Sequence, residues 1–277
     1  MAGVPRRPFG ATGVEVPVVG QGTWRMGEDR ARRRQELAAL RLGLDLGLTH
    51  IDTAEMYGDG AAERLVGEAI AGRREQVFLA TKVLPWNASH AGTIRACEAS
   101  LRRLRVERVD LYLLHWWTGA HPIAETMHAI AELVHRGLVR FAGVSNLDAR
   151  QAGVARRALH PLPLACNQVL YSLRDREIER GLLPWCERRR IAVVGYTPFA
   201  RGGFARGPAA AIARRLGCTP RQVALRYLTR RPSLFAIPKA GRPDHVRENA
   251  AAFDVPLAPA DLRALGRRGQ GPPRWPA

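Results

Sequence analysis

The stretch FLATKVLPW, residues 78–86, is apolar on both of its alternating faces until it meets Lys82. A strand with one face in water alternates apolar and polar residues. A run without alternation is covered on both sides, as in a parallel sheet beneath helices. Extended by one residue to VFLATKV (77–83), this run is one of eight such strand candidates. The others are VVGQGTW (18–24), THIDTA (49–54), VDLYLLH (109–115), RFAGVSN (140–146), ACNQV (165–169), IAVVGYT (191–197) and SLFAIPK (233–239). Stretches of helical period lie between them. In one, Ile94, Cys97, Leu101 and Leu104 share a face behind Ser89 as an N-cap, and Thr219-Pro220 opens another. Before the first strand, RPFGATGVEVP (7–17) alternates about Thr12-Gly13 and reads as a small hairpin.

Eight apolar strands separated by helices predict an α/β fold with a parallel sheet. Closed, the sheet is a (β/α)8 TIM barrel carrying a short N-terminal β-hairpin; open, it is a doubly wound sheet. The open form would carry GxGxxG after the first strand. Here Gly20-Gln21-Gly22 is followed by Thr23, Trp24 and Arg25, so the third glycine is missing. The 277 residues suit a barrel of about 250, and no linker or break in composition divides them, so one domain over 1–277 is expected.

Hydrophobic residues make up 46% of the chain and charged residues 25%, as in ordinary globular proteins. The net charge of +18 raises the possibility of a nucleic-acid or anionic-surface partner. The arginines are spread over every helical segment, however, and runs such as Arg32-Arg33-Arg34 and Arg188-Arg189-Arg190 read as solvated helix faces. No aromatic–basic interleaving accompanies them, so neither nucleic acid nor membrane is expected as a partner. Cys97, Cys166, Cys186 and Cys218 are far apart and form no CxxC, which suggests neither a zinc site nor a disulfide framework. The N-terminal MAGVPRRPFG lacks a signal-peptide core, and a reducing cytoplasm is the expected location.

Each apolar run ends in a residue that is costly to bury: Asp52, Lys82, His115, Ser145-Asn146, Gln168, Tyr196 and Lys239. In a barrel the C-terminal strand ends share one face, where barrel enzymes keep their chemistry. Of 43 basic residues other than histidine only Lys82 and Lys239 are lysines. A lysine presents a compact point charge where a guanidinium fork would fit poorly. With Asp52 and Tyr57 from IDTAEMYG (51–58), Lys82 forms a set in which an ammonium stabilises a phenolate and a carboxylate holds the ammonium. A phenol titrates near 10, and a drop of roughly three units corresponds to about 4 kcal/mol. His115 is placed to hydrogen-bond a carbonyl oxygen. A buried ion pair bracing two strands is the plainer reading of Asp52 and Lys82.

The motifs IDTAEMYG (51–58), LATKV (79–83), DLYLLHW (110–116), GVSN (143–146), NQVLY (167–171), IPKA (237–240) and REN (247–249) resemble the aldo-keto reductase family over nearly the whole chain. GTWRMGEDR (22–30), KVLPWN (82–87), ACEASLRRL (96–104) and LLPWC (182–186) are similar to the bacterial branch that includes methylglyoxal reductases. The resemblance implies metal-free hydride transfer from a reduced nicotinamide to a carbonyl carbon. In it Tyr57 is the general acid, Lys82 lowers its pKa, Asp52 pairs with Lys82 and His115 orients the carbonyl. It implies cofactor contacts at Gly22, Thr23, Ser145, Asn146, Gln168, Tyr196, Lys239, Arg242, His245, Glu248 and Asn249. Ser145, Asn146 and Gln168 would meet the carboxamide, Tyr196 would stack on the nicotinamide, and Lys239 would meet a ribose 2′-phosphate, favouring NADPH. Ala240 and His245 depart from the family's usual hydroxyl and arginine, with Arg242 near enough to supply charge.

Trp24, Trp86 and Trp116 each follow a strand end and would wall a narrow substrate pocket. Trp275 lies in the tail GPPRWPA. The expected activity is NADPH-dependent reduction of small aldehydes or ketones by a monomer, with methylglyoxal-like 2-oxoaldehydes as leading substrates. The competing reading is a non-catalytic NADPH-sensing barrel that binds a protein partner.

Overall fold

The computed structural model describes residues 3–200, 202 and 206–266; Trp275 lies outside the described residues. Strands β1 (Arg6–Pro8) and β2 (Glu15–Pro17) pair antiparallel with Arg7 opposite Val16, forming the expected hairpin. Its turn is closed by the Thr12 hydroxyl, which donates to Phe9 O at 2.7 Å.

Eight further strands follow: β3 (Gln21–Gly22), β4 (His50–Asp52), β5 (Phe78–Val83), β6 (Val109–Leu114), β7 (Val139–Ser145), β8 (Leu164–Leu170), β9 (Ala192–Tyr196) and β10 (Leu234–Ala236). Each pairs in parallel with its neighbour in sequence. The ends of the series then meet. Val19 bridges Ala236 and Gly22 bridges Lys239, both parallel. Three backbone bonds close this seam: Gly20 N–H to Ala236 O at 2.8 Å, Ala236 N–H to Val18 O at 2.9 Å and Gly22 N–H to Pro238 O at 3.1 Å. The sheet is thus a closed (β/α)8 barrel, and the doubly wound alternative is excluded. The seam also explains Gly22, since a Cβ there would lie 2.6 Å from Ile237 O, a backbone atom held by the closure itself.

Helices lie outside the strands, among them Arg33–Asp45, Ala61–Ala69, His90–Leu104, Ile123–His135, Ala149–Leu159, Pro220–Leu228 and Pro243–Ala250. Ser89 caps the third by accepting the Gly92 N–H, and Thr219 with Gln222 forms a capping box at Pro220–Leu228. Strand parity separates two cores. Leu79, Val83, Tyr112, Leu114, Val144 and Val193 meet the helices. Phe78, Ala80, Leu111, Leu113, Cys166, Ala192, Val194 and Phe235 fill the barrel. The arginine runs are divided among separate carboxylates: Arg32 pairs with Asp29 at 3.2 Å, and Arg33 pairs with Glu68.

The hairpin closes the N-terminal end of the barrel. Phe9, fully buried, packs its ring 5.0 Å from Phe78, 4.9 Å from Phe235 and 6.0 Å from His50. His50 packs edge-on against Phe9 and against Phe78 at 5.5 Å, and neither of its nitrogens has a hydrogen-bond partner among the described residues. Burial, with Lys82 adding to it, pushes its pKa down to about 4, against an ordinary 6.5. The unfolded chain therefore binds a proton on this residue between pH 6.5 and 4 that the native chain does not. Stability from this source is complete above pH 6.5, falls as pH drops toward 4, and amounts to about 3 kcal/mol at most. His50→Leu is expected to flatten the dependence of the urea midpoint on pH between 7 and 5. An unchanged slope would show that His50 is not the proton acceptor.

Candidate active site

The inward parity of the strands carries polar side chains to the C-terminal mouth. On β4 it selects His50 and Asp52, on β5 Phe78, Ala80 and Lys82. Asp52 sits in register with Ala80, and Lys82 with Leu113, so Lys82 stands one pleat nearer the mouth than Asp52. Its side chain is fully buried. Nζ donates to Asp52 Oδ1 at 2.6 Å, to Thr53 O at 2.8 Å and to the Tyr57 hydroxyl oxygen at 3.4 Å. All three ammonium protons are thereby engaged, on three acceptors converging from the end of β4 and the loop that follows. Asp52 uses its second oxygen to accept Gln168 Nε2 at 2.7 Å, which ties β8 across the barrel to the same cluster.

Tyr57 is held by the loop itself. Its N–H donates to Ala54 O at 3.1 Å, and its carbonyl accepts the Ala62 N–H at 3.2 Å at the start of Ala61–Ala69. His115 follows β6, and its ring meets Tyr57 edge-on at 5.8 Å. His115 Nδ1 is buried without a hydrogen-bond partner among the described residues. Lys82 thus touches the phenolic oxygen directly, Asp52 holds Lys82 from behind, and His115 packs edge-on against the Tyr57 ring.

The electrostatics sort them into roles. Burial alone would lower the Lys82 pKa, but Asp52 and Tyr57 outweigh it and hold the ammonium above the ordinary lysine value. Burial, with the Lys82 charge adding to it, pushes His115 down to about 2, so the imidazole is neutral. Tyr57 departs from the expectation of a pKa lowered by roughly three units. Its pKa is raised above the usual tyrosine value: burial of the phenol outweighs the attraction of Lys82, and the Asp52 carboxylate pushes further in the same direction. The ammonium is largely neutralised by the carboxylate 2.6 Å away, which leaves less field for the phenolate.

Four of the residues expected at a cofactor, Ser145, Asn146, Gln168 and Tyr196, lie at the neighbouring strand ends. Asn146, in the left-handed conformation at φ 58°, donates from Nδ2 to His115 O at 3.1 Å and to Ser145 Oγ at 3.0 Å. Its Oδ1 accepts the Tyr196 hydroxyl at 2.8 Å. Ser145 is in register with Gln168, so Ser145, Asn146, Gln168 and Tyr196 form one arc across the ends of β7, β8 and β9. Gly22 and Thr23 lie at the barrel seam; the Thr23 hydroxyl donates to Asp52 O at 2.9 Å and is wholly buried. Thr23 therefore braces β4.

Lys239 follows β10, its side chain 37% exposed and Nζ 3.9 Å from Glu36 Oε1. Arg242, also exposed, occupies the N-cap of Pro243–Ala250 without a side-chain cap bond, and pairs with Asp244 at 2.6 Å. On that helix His245 is half-buried, Glu248 meets Arg221 at 3.4 Å and Asn249 is buried.

The three tryptophans differ in exposure. Trp24 is 43% exposed and Trp86 67% exposed. Trp24 lies against the Arg25 guanidinium at 4.6 Å, and Trp86 stands on the short turn Pro85–Asn87 that follows β5. Trp116 lies 4.9 Å from the His115 ring and 6.0 Å edge-on from Trp86.

Sequence reasoning passed over three participants. The Thr53 carbonyl is a backbone atom and leaves no trace in composition. The bond from Gln168 to Asp52 depends on positions 116 residues apart. Glu55, inside DTAEMYG, bridges two loops by accepting from Leu84 N–H and Asn87 Nδ2.

Comparison with known proteins gives three consistent findings. Residues 18–267 match the model of the Aldo/keto reductase family. The chain is 46% identical over 269 residues to the methylglyoxal reductase YeaE of Escherichia coli (strain K12), covering 94% of this chain and 93% of that protein. A crystal structure of an aldo-keto reductase from Klebsiella pneumoniae in complex with NADPH superposes with a TM-score of 0.88 at 45% identity, covering 95% and 94% of the two chains. A second structure from that organism, in complex with NADP and acetate, gives 0.87 at 45% identity over the same shares.

Proposed function

The chain belongs to the aldo/keto reductase family, and on that premise we propose that it is an NADPH-dependent carbonyl reductase in which Tyr57 is the proton donor. One observation carries the assignment: a fully buried ammonium, Lys82, whose three protons converge on Asp52, Thr53 O and the Tyr57 hydroxyl. A structural brace between two strands needs only the first of these contacts. The third aims the charge at a phenol at the C-terminal end of the barrel strands, where barrel chemistry resides.

The residues fit a reduced nicotinamide dinucleotide. Ser145, Asn146, Gln168 and Tyr196 supply an arc of amide, hydroxyl and aromatic groups beside Tyr57. Lys239 and Arg242 place two cations at an uncapped helix N-terminus, the donor set that suits a phosphate. When bound, the cofactor supplies hydride to the carbonyl carbon.

Every other part of the reaction falls to the protein. Tyr57 stands protonated at neutral pH, since its pKa is raised, and its O–H is available to the carbonyl oxygen. As negative charge builds on that oxygen, the proton passes to it, and Lys82 stabilises the phenolate left behind. Asp52, fixed by Gln168 as well, holds the ammonium in place. Neutral His115 hydrogen-bonds and orients the carbonyl without competing as an acid.

Substrates are small aldehydes and ketones, with methylglyoxal-like 2-oxoaldehydes first among them. The identity to an E. coli methylglyoxal reductase over nearly the full chain supports this choice. The test is the fall in NADPH absorbance against a panel of small carbonyls. Turnover of none of them at any pH between 6 and 8 would favour the non-catalytic sensor instead. Cofactor choice is read from Lys239. Lys239→Ala is expected to weaken kcat/KM for NADPH by about tenfold, from loss of one charge-assisted contact, and to leave NADH nearly untouched. Equal losses with both cofactors would detach Lys239 from the 2′-phosphate.

A further inference from the structure

We infer that Glu55 is a positioning residue: its carboxylate clasps the Trp86 turn to the loop that carries Tyr57, and so sets the opening through which a carbonyl reaches the proton donor. The inference rests on the reading of Tyr57 as donor to a carbonyl. Glu55 is half-buried and lies two residues before Tyr57. Its Oε1 accepts the Leu84 N–H at 2.6 Å and Asn87 Nδ2 at 3.1 Å. Trp86 is the middle residue of the short 3-10 turn Pro85–Asn87, which closes through Asn87 N–H to Leu84 O at 2.9 Å. The residue before the turn and its last residue are therefore both tied to one carboxylate oxygen.

The clasp matters because Trp86 has little else to hold it. It is 67% exposed, and its aromatic neighbour is Trp116, edge-on at 6.0 Å. Trp116 meets His115 at 4.9 Å, and His115 meets Tyr57 at 5.8 Å. Tyr57, His115, Trp116 and Trp86 make a row of rings that starts on one loop and ends on the other. Glu55 joins its two ends and closes a ring of contacts around the mouth. Edge-on aromatic pairs tolerate sliding, whereas hydrogen bonds to a carboxylate fix distance and angle. Glu55 is thus the directional link in an otherwise compliant ring. None of its hydrogen bonds reaches Asp52, Lys82 or Tyr57, so its loss acts on the opening and spares the proton-transfer set.

The test compares phenylglyoxal, a 2-oxoaldehyde bearing a phenyl ring for the rim to meet, with methylglyoxal, which bears only a methyl group. Glu55→Ala is expected to raise KM for phenylglyoxal about tenfold, the scale of losing these bonds, with kcat and the NADPH dissociation constant changed less than about twofold. The KM for methylglyoxal should move much less. Glu55→Gln keeps an oxygen that both donors can use, and should restore most of the phenylglyoxal KM. Asn87→Ala removes one bond of the two and should give an intermediate value, which keeps the idea testable if Glu55→Ala folds poorly. Acrylamide quenching, compared with and without Trp86→Phe, should show Trp86 more accessible in Glu55→Ala. Equal KM values and equal quenching in parent and Glu55→Ala would overturn the clasp. So would a parallel fall of kcat and kcat/KM for both substrates, which would mean that Glu55 merely supports Tyr57. If the parent reduces no carbonyl, the functional reading fails, while the quenching comparison still decides whether Glu55 holds the turn.

Discussion

Tyr57→Phe is expected to lower kcat for carbonyl reduction by about 10²–10⁴-fold, the usual share of a positioned general acid. The substitution removes one oxygen and keeps the ring. The edge-on packing against His115 at 5.8 Å and the Lys82 ammonium 5.1 Å from the ring centre both survive it. NADPH affinity, measured by fluorescence titration, should therefore stay within about twofold. Loss of both together would point to collapse of the loop. The pH profile separates two further cases. A phenol lowered by roughly three units, as first expected from the nearby ammonium, would lose its acid form near pH 7 and rates would fall above it. The raised pKa found for Tyr57 keeps the acid form throughout the neutral range, so the rate is flat from pH 6 to 9 and declines only where the phenol ionises, above 10. His115, at about 2, adds no limb in that window. A falling limb near pH 7 that vanishes in Tyr57→Phe would restore the lowered value.

That reversal marks where sequence reasoning stops. The eight strands were legible because burial on both faces forces apolar residues into unbroken runs, and VFLATKV and VDLYLLH have no other use for them. Strand ends were legible too, since parity and a common mouth follow once the strands are placed: Asp52, Lys82 and Gln168 all point inward. The hairpin was legible as a hairpin but not as the plug that seats Phe9 among Phe78 and Phe235, because that contact joins residues more than sixty positions apart. The sign of the Tyr57 shift was not legible at all. It is the balance of burial and the Asp52 charge against the attraction of Lys82, set by a 2.6 Å carboxylate and a 3.4 Å phenol that no motif encodes. The exposure of Trp24 and Trp86 was not legible either, since residues beyond a strand end follow the loop.

Lys82 carries the second large effect, and it distinguishes charge from shape. Lys82→Met nearly preserves volume but removes the ammonium, leaving Asp52 buried with Gln168 as its remaining side-chain donor. Breaking a buried pair in this way costs about 3–5 kcal/mol, and it should appear as a lower urea midpoint together with loss of turnover. Lys82→Arg keeps the charge, yet the slot was shaped for a point donor. Nζ sits 2.6 Å from Asp52, 2.8 Å from Thr53 O and 3.4 Å from Tyr57 in a position with no exposed surface. A planar fork cannot meet three acceptors gathered about one atom, and its extra atoms must displace the Tyr57 loop or strand β4. Overpacking of that kind costs about 1–3 kcal/mol. Turnover should fall by about a hundredfold or more, because a misplacement near 1 Å is enough for that loss. Stability should thus rank parent, then Lys82→Arg, then Lys82→Met, while both variants lose activity. If Lys82→Arg instead turns over like the parent, the ammonium is not needed as a compact charge, and the scarcity of lysine in an arginine-rich chain says nothing about this position.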